Sequence, residues 1–488
     1  MMDYEYSDRG RSGTTVAAGP AVVRTRTSAV TAPSRLSASP PAPLPAAFVS
    51  HYRCRPDAAV VSVTGDLTRH PEFFNFGSTI CYGRHAGPRS HGGRTVDVMG
   101  LVGCAPGHIG LPFDLSEAIA NFQHERYQRT KRLLDTFTGA DTTRKLYYAL
   151  RPFLTVAIRK HVQKLSLRGW DDIGFPRWPV DATVETLLED TMRLVLDRAG
   201  VRSMPFVWFW PDGAPSCAIM THDVEHIEGR DFCDALMDLD DEYGIKASFQ
   251  IVPEDRYEVT EAFLERIRRR GFEINVHDLN HDGQLFRERR LFAERAVRIN
   301  ECGRRFRSYG FRAGIMYRRQ GWFDDLEFSY DMSVPNVAHL DAQRGGCCTV
   351  MPFFLGKLVE LPLTTIQDYS LFHILGDYSI DLWKQQIEFI HARHGLISFI
   401  AHPDYLIEQR ARRVYCDLLA HLRTLGRDEQ VWLATPRDVA AWWRNRSQMT
   451  LACADGRWHV EGPDAGRAVV AHATIQDGKL SYRLEKSR

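Results

Sequence analysis

Between residues 205 and 448, short apolar runs alternate with amphipathic helical segments, and this alternation constrains the fold more than any other feature of the sequence. Such a pattern predicts parallel strands joined by helical crossovers, which places this part of the chain in the α/β class. Seven or eight strands in a stretch of this length predict a barrel related to the (β/α) type. The runs are "SCAIMTHD", "KASFQIVP", "FEINVHD", "YGFRAGI", "LEFSYDMS", "LVELPLT", "LISFIAHPD" and "VWLATP".

Composition divides the rest of the chain into a tail and two accessory segments around the barrel, which spans residues 206–448. Residues 1–47 are rich in Pro, Ala, Ser and Thr over most of their length, which predicts a disordered tail. Residues 48–205 contain two long helical patterns and predict a mostly helical N-terminal accessory region. Residues 449–488 alternate apolar and polar positions, which predicts a small C-terminal β appendage.

Overall charge and cysteine usage exclude some partners and favour one compartment. The 62 Lys and Arg residues nearly cancel the 61 Asp and Glu residues, so no global field attracts nucleic acid and none is expected as a partner. The ten cysteines show no C-x-x-C spacing, and the N-terminus lacks the basic and apolar regions of a secretory signal. We therefore expect reduced thiols and a cytoplasmic location.

The segment 142–170 combines a helical pattern and aromatic residues with several Lys and Arg residues. One interpretation is a solvated basic face on a helix that packs on the core. The other is a helix that lies in the plane of a membrane surface and gives access to a lipid-linked substrate. The second interpretation predicts a protein peripherally associated with the membrane.

Polar side chains follow several of the predicted strands at the point where each strand ends. The active site of a (β/α) fold lies at the carboxyl ends of its strands, so these side chains are expected to converge. Two histidines four residues apart can bind one ion, and a carboxylate from a neighbouring strand would leave open positions for water and substrate. The strand-end residues are His222, Asp223, Glu225, His226, His277, Asp278, His281, Arg312, His402 and Asp404.

The stretch from about 215 to 440 resembles the polysaccharide deacetylase, or NodB-homology, family of carbohydrate esterases, whose barrel is of the distorted (β/α) type. The first motif of that family is Asp-Asp or Asp-Val-Asp at the end of the first strand. "THDVE" resembles the second form, with Glu in the last position. The resemblance implies that Asp223 is the general base and that Glu225 is a metal ligand.

Three further motifs of the family are matched in order along the chain. "NVHDLNHDG" resembles the His-x-x-x-His motif, which implies that His277 and His281 are metal ligands. "GFRAGIMY" resembles the arginine motif without its common Pro, and implies that Arg312 positions the base. "LISFIAHPD" resembles the strand that ends in the catalytic acid, which is implied to be His402.

The resemblance implies a divalent metal cofactor, Zn²⁺ before other ions, and removal of an N-acyl group, N-acetyl before others, from a sugar. In such a reaction the ion polarises the acyl carbonyl and acidifies a bound water, while Asp223 removes its proton. His402 would protonate the departing amine, and Arg312 would keep Asp223 ionised. A cytoplasmic location favours a carbohydrate in lipid-linked or nucleotide-linked precursor form as the substrate.

Several of these residues also have purely structural interpretations. Asp223 could cap the helix after its strand, Glu225 could be a surface carboxylate, and Arg312 could be a structural ion-pair partner. His222 and His226 are expected to pack near the site rather than to bind the ion.

Two features near the motifs have more than one interpretation. Asp282 either orients His281 or begins a turn. Aromatic residues downstream of the arginine motif could form a sugar-binding platform, but core packing is the expectation for Trp322, Phe323, Phe328 and Tyr330.

Two other classes of function are compatible with the same pattern. A metal-independent amidohydrolase or deformylase on the same barrel would account for Glu in place of Asp in "THDVE". A non-catalytic carbohydrate-binding relative would have no need of a base and an acid on different strands. The metal content of the protein would distinguish a metal-independent amidohydrolase from a metal-dependent hydrolase.

Overall fold

The computed structural model describes residues 43–89, 95–128, 167 and 169–485. Most of the predicted tail and nearly all of the 142–170 segment lie outside the described residues. The helix α1 begins at Ala46, within the range that composition assigns to the tail.

The N-terminal region mixes short strands with helices. Strands β1 and β4 flank β5 in one sheet, and β2 and β3 form an antiparallel hairpin. The described residues of this region therefore include strands that the prediction of a mostly helical region did not contain, because strands of three to five residues are too short to show a clear period. The elements are α1 Ala46–Tyr52, β1 Val60–Val63, β2 Glu72–Phe76, β3 Thr79–Gly83, β4 Gly103–Ala105, β5 His108–Leu111, α2 Leu115–Gln123, α3 Thr183–Asp197 and β6 Met204–Val207.

A curled sheet forms the centre of the fold, and all eight predicted apolar runs supply strands to it. The strands are β7 Cys217–Val224, β8 Ser248–Ile251, β9 Glu273–His277, β10 Gly310–Arg312, β11 Tyr330–Asp331, β12 Phe353–Leu355, β13 Leu358–Glu360, β14 Leu396–Ala401 and β15 Trp432–Leu433. Their order is β12-β13-β11-β10-β9-β8-β7-β14, and β15 also pairs with β7. Neighbouring strands are parallel except for the antiparallel pair of β12 and β13.

The sheet curls into a partial barrel. No strand ladder joins its two ends within the part of the chain that the structure describes. The chain after β13 nevertheless approaches β14, where the backbone N–H of Thr365 donates to the carbonyl of Ser398 at 3.3 Å. The hydroxyl of Thr364 donates to the carbonyl of Leu396 at 2.7 Å. The predicted α/β class is thus confirmed. The sheet forms a partial barrel, because no continuous strand ladder joins its two ends in the described residues.

Helices cover the outer face of this sheet, as predicted for strands joined by helical crossovers. Alternate residues of β7 face opposite ways: Ala218 and Met220 pack in the core that includes these helices. Cys217 and Ile219 belong to a second core shared with the N-terminal region. The helices of the outer face are α4 Ile227–Glu242, α5 Glu261–Arg269, α6 Arg289–Phe306, α7 Asp381–His391 and α8 Gln409–Asp428. Helix α9 Pro436–Arg446 packs in the second core.

The C-terminal residues form two hairpins, which agrees with the predicted β structure. They consist of β16 Thr450–Ala454, β17 Arg457–Glu461, β18 Val470–Gln476 and β19 Lys479–Leu484. Strand β18 also pairs with β6, and Ala471 and Ala473 are buried in the core of the N-terminal region. This segment is therefore a structural part of the N-terminal region rather than a free appendage.

Two further features bear on the sequence-based expectations. None of the ten cysteines takes part in a disulfide. Among the described residues, no helix combines the length and the apolar character needed to cross a bilayer.

Candidate metal and catalytic site

Strand β7 sends neighbouring side chains to opposite faces of the sheet. His222 lies on the outer face, where its Nε2 is 2.9 Å from Oδ2 of Asp240 on α4. The hydroxyl of Tyr415 donates to the other oxygen of Asp240 at 2.5 Å, and all three side chains are buried. Side chains alternate along a strand, so Asp223 lies on the inner face. His222 is thus held in a packed pair away from the site, as expected.

The carboxylate of Asp223 is paired with the guanidinium of Arg312 inside the curled sheet. Nη1 of Arg312 donates to Oδ1 of Asp223 at 2.6 Å and to the hydroxyl of Thr221 at 2.7 Å. Its Nε donates to the carbonyl of Met332 at 3.1 Å. Burial alone would raise the pKa of Asp223, but Arg312 and the neighbouring imidazoles outweigh burial and hold that pKa below its usual value. Asp223 is therefore an ionised carboxylate within the protein.

Glu225, His277 and His281 form a group with the composition of a divalent-metal site. Their donor atoms all lie within 4.8 Å of one another. Oε1 of Glu225 is 3.0 Å from Nε2 of His281 and 3.7 Å from Nε2 of His277. Both Nε2 atoms are buried without a hydrogen-bond partner, which is costly unless another ligand satisfies them. The residues present thus fit a bound cation.

The electrostatics of this group also favour a cation. Burial would raise the pKa of Glu225, but the three surrounding imidazoles, of His281, His277 and His402, hold it well below its ordinary value. Burial would lower the pKa of His277, but Asp223 and Glu225 raise it. The negative field that favours a protonated imidazole favours a divalent cation in the same place.

The backbone carbonyl of Arg312 orients one of the two imidazoles. It lies 3.2 Å from Nδ1 of His277, so this nitrogen carries the proton and donates to the carbonyl. Nε2 is then the nitrogen with a free lone pair. Strands β9 and β10 are neighbours, with Arg312 opposite His277 in the register, so the sheet itself sets this contact.

The loop after β9 brings His281 beside His277. Asp278 and His281 both have left-handed backbone conformations, with φ of 57° and 54°. A guanidinium nitrogen of Arg256 donates to the carbonyl of His281 at 2.6 Å. The carboxylate of Asp282 accepts hydrogen bonds from other residues: its Oδ2 accepts from Nη2 of Arg295 at 2.7 Å, and its Oδ1 accepts from the backbone N–H of Gln284. Of the two interpretations of Asp282, the contacts match the turn.

His402 directly follows β14 and also faces Glu225. Its Nε2 is 3.5 Å from Oε1 of Glu225, and its Nδ1 is 2.6 Å from Oδ1 of Asp368. The second oxygen of Asp368 accepts from the backbone N–H of His402 at 2.6 Å. Burial would lower the pKa of His402, but Asp368 and Glu225 more than offset burial and raise it well above its ordinary value.

Sequence reasoning missed two side chains beside His402. Asp368 lies well beyond the end of β13, so the rule that polar residues follow strand ends does not reach it. The ring of Tyr405 lies with its centroid 4.8 Å from that of His402, and only its position after "HPD" could have indicated it. Asp368 begins a short helical segment, residues 368–375, and Tyr405 begins a single turn of 3-10 helix, so neither is at the end of a strand.

The remaining candidates lie around or away from the site. His226 is exposed and precedes α4, and Asp404 is half-buried beyond His402. Among the aromatic residues, Trp322 is half-buried and the other three are buried in the two cores, namely Phe323, Phe328 and Tyr330.

Several solved structures are similar to this protein. No family model matches the sequence, and no curated protein matches it. The structure resembles a protein from Mycobacterium smegmatis assigned as a polysaccharide deacetylase, at 18% identity over 49% of this chain and 93% of that one, with a TM-score of 0.39.

Two other similar structures belong to the same group. The chitin deacetylase of Colletotrichum lindemuthianum is 12% identical over 47% of this chain and 89% of its own, with a TM-score of 0.30. A pseudoenzyme of the CE4 family from Bacillus anthracis is 11% identical over 46% of this chain and 65% of its own, with a TM-score of 0.31. At these identities and TM-scores, we base function on the geometry of the site alone.

Proposed function

We propose that this protein is a metal-dependent hydrolase that removes an N-acyl group, N-acetyl before others, from a sugar. One observation carries the proposal. Two buried histidine nitrogens that have no hydrogen-bond partner face Glu225, and an ionised Asp223 and a proton-bearing His402 lie beside them. A base, a cation site and an acid in one cluster are the parts that amide hydrolysis requires.

Three residues would hold the metal, and Zn²⁺ is the ion we propose. Two imidazoles and one carboxylate, from His277, His281 and Glu225, are a ligand set found for catalytic zinc, and they leave open positions. When bound, such an ion acidifies a water molecule and polarises the amide carbonyl.

Asp223 is placed to accept the proton of the attacking water. Its Oδ1 is bound to Arg312, whereas its Oδ2 faces the proposed metal ligands, 3.6 Å from Nε2 of His277. The guanidinium favours the ionised carboxylate, so Asp223 is ready to act as a base over a wide pH range. Arg312 therefore positions the base and sets its charge.

His402 is placed to protonate the leaving nitrogen. An amine leaves poorly as an anion, so a proton must reach the nitrogen as the carbon–nitrogen bond breaks. Asp368 binds Nδ1 of His402, which directs Nε2 and its proton toward the cluster. Asp223 and His402 would thus act as base and acid beside the proposed metal ligands, Asp223 near His277 and His402 near Glu225.

For the substrate, we propose a carbohydrate in lipid-linked or nucleotide-linked precursor form, consistent with the cytoplasmic location expected from the sequence. The contact of segment 142–170 with a membrane remains a proposal, to be tested by co-sedimentation with vesicles with and without anionic lipid. A sedimented fraction that does not respond to anionic lipid would contradict it.

The proposed function is tested by elemental analysis of the purified protein together with acetate release from N-acetylated sugars. We expect about one equivalent of zinc, and release of acetate that chelation abolishes and added zinc restores. Acetate release at the same rate in protein freed of metal would contradict the proposal.

A further inference from the structure

A cavity of about 330 Å³ lies beside the loop that follows β10 and is lined by guanidinium groups. One wall is formed by residues 318–322, and the other by residues 124–128, which follow α2. Four arginines line it, namely Arg126, Arg318, Arg319 and Arg344. Four guanidiniums around one space repel one another unless anions neutralise them.

A buried carboxylate from the N-terminal region neutralises one of the four. Nε of Arg318 donates to Oε2 of Glu125 at 2.6 Å, and its Nη2 donates to Oε1. Its Nη1 donates to the carbonyl of Met316 at 3.0 Å. Glu125 also accepts from the backbone N–H of Gly346 at 2.7 Å, which holds the ion pair of Arg318 and Glu125 in place at the base of the cavity. The donors of Arg318 are used within the protein.

The other three arginines form no ion pair with any of the described residues. Arg126 donates to the side chain of Asn121 at 3.3 Å, and Arg344 donates to the carbonyl of His339. The guanidinium of Arg319 lies 4.9 Å from the ring centroid of Trp322. Arg126 and Arg319 therefore keep their positive charges without a carboxylate partner, whereas the nearby carboxylate of Asp341 attracts Arg344. Most N–H donors of Arg126 and Arg319 remain for a ligand.

The cavity and the metal cluster are joined by a short piece of chain. Gly314 packs directly on the cluster: a Cβ there would lie 2.6 Å from Oδ2 of Asp278 and 2.8 Å from Cδ2 of His281. Arg318 comes four residues later, which limits the span between the two Cα atoms to about 14 Å. A substrate that contacts both places would have to span a distance of this order.

We propose that this cavity binds the diphosphate of a substrate whose acylamino sugar lies at the metal cluster. The inference rests on the proposed function and specifies its substrate class. A guanidinium presents two parallel N–H donors that match phosphate oxygens, and Arg126 and Arg319 supply two charges that no carboxylate neutralises. Nucleotide-linked and lipid-linked sugars share the diphosphate, so the cavity recognises the group common to both.

The test is calorimetric titration of the purified full-length protein with inorganic pyrophosphate. Because Arg126 and Arg319 are exposed, the double variant Arg126→Ala/Arg319→Ala is expected to fold. Its affinity for pyrophosphate should fall about tenfold or more, since each lost guanidinium removes charged hydrogen bonds. Arg269→Ala, which removes an exposed arginine on α5, should bind like the wild type. Equal affinity in the double variant and the wild type would overturn the proposal.

Two diphosphates then identify the carrier. Uridine diphosphate represents a nucleotide carrier, and farnesyl diphosphate represents a lipid carrier. If either binds more tightly than pyrophosphate, the result supports the proposal and identifies whether the substrate is nucleotide-linked or lipid-linked. No binding of any of the three probes to the wild type overturns it. Metal-dependent acetate release without diphosphate binding would refute this inference alone. Diphosphate binding without acetate release would refute the proposed function alone.

Discussion

Arg312 and Asp223 lie 89 residues apart in the chain, and Nη1 of Arg312 is 2.6 Å from Oδ1 of Asp223. This buried pair ties β7 to β10, which are not neighbours in the sheet. Helix α4 begins at Ile227, and its cap residue is His226, so Asp223 does not cap it. Asp223 is thus fixed by an arginine rather than by a helix end, and one of its oxygens remains available.

Asp223→Asn should retain the fold and the metal but lose hydrolysis. The amide keeps the size of the carboxylate but cannot accept the proton of the water. We expect acetate release to fall by about 100-fold or more. The measurement is acetate release beside metal content and circular dichroism, with the exposed Asp234→Asn as a matched control. Unchanged turnover would remove Asp223 from the mechanism.

His281→Ala should lower the metal content of the protein sharply, because it removes one of two buried imidazole nitrogens that have no hydrogen-bond partner and face Glu225. Elemental analysis of the purified variant measures this directly. The exposed His459→Ala in the C-terminal hairpins removes an imidazole far from the cluster in sequence, and should retain the full metal content. Equal zinc in both variants would show that the cluster does not bind the ion.

Gly314→Ala should weaken metal binding although it changes no ligand. The new methyl group would lie 2.8 Å from Cδ2 of His281, so the imidazole must move. We expect about a tenfold or greater loss of affinity, comparable to losing an outer contact of a metal ligand. A competition titration of zinc with a chelator measures it.

A matched control for that substitution is present in the same loop region. Gly321→Ala introduces a methyl group with nothing within 4 Å, so zinc affinity should be unchanged. A loss of affinity in both variants would point to general disturbance of the loop rather than to displacement of His281.

Asp368→Asn should lower kcat with little change in KM or metal content. Asp368 binds Nδ1 of His402 and does not belong to the cluster of proposed ligands. The amide can rotate its NH₂ group toward Nδ1, which favours the wrong tautomer of the imidazole, so we expect a decrease of about tenfold or more. Steady-state kinetics on an N-acetylated sugar measures it. A variant that lost its zinc would indicate instead that Asp368 supports the ligands.

Glu185→Gln should stabilise the protein at neutral and mildly alkaline pH. Burial on α3 raises the pKa of Glu185 to about 8 from 4.5, despite its hydrogen bonds to Thr349 and Val350. Between these values the folded protein holds a proton that the unfolded chain releases. The free energy of unfolding contributed by this group therefore falls as pH rises through that window.

The advantage of Glu185→Gln should accordingly grow from pH 5 to pH 8, by roughly 1 kcal/mol per pH unit. Urea denaturation at several pH values measures it, with the exposed Glu228→Gln as control. A difference in unfolding free energy that does not vary with pH would show that Glu185 is ionised in the folded protein.

Much of the central sheet was predictable from local pattern. The run around Ile219 and the run around Phe399 are each apolar and short, and both form buried strands of the sheet. Local pattern failed in the N-terminal region, where strands such as β4 contain only three residues. Such strands are stabilised by pairing with strands elsewhere in the chain, so their own residues show no clear alternation of apolar and polar positions.

The candidate site was predictable to the same extent as the strands that carry it. Residues directly after a strand, such as Glu225 and His402, could be identified because parallel strands end at one edge. Asp368 could not, because it begins a short helical segment, residues 368–375, and does not directly follow a strand. The alternation along β7 separates His222 from Asp223, but only the packing of α4 and α8 on the outer face shows which of the two lies inside.

The sequence by itself determined the local elements and the edge where polar residues collect, because periodicity and strand ends depend on neighbours along the chain. Only the tertiary structure decided which of those residues meet. The pairing of Arg312 with Asp223 and of Arg318 with Glu125 joins positions 89 and 193 residues apart. Such contacts depend on the order of strands in the sheet and on packing between regions, and local sequence does not contain that information.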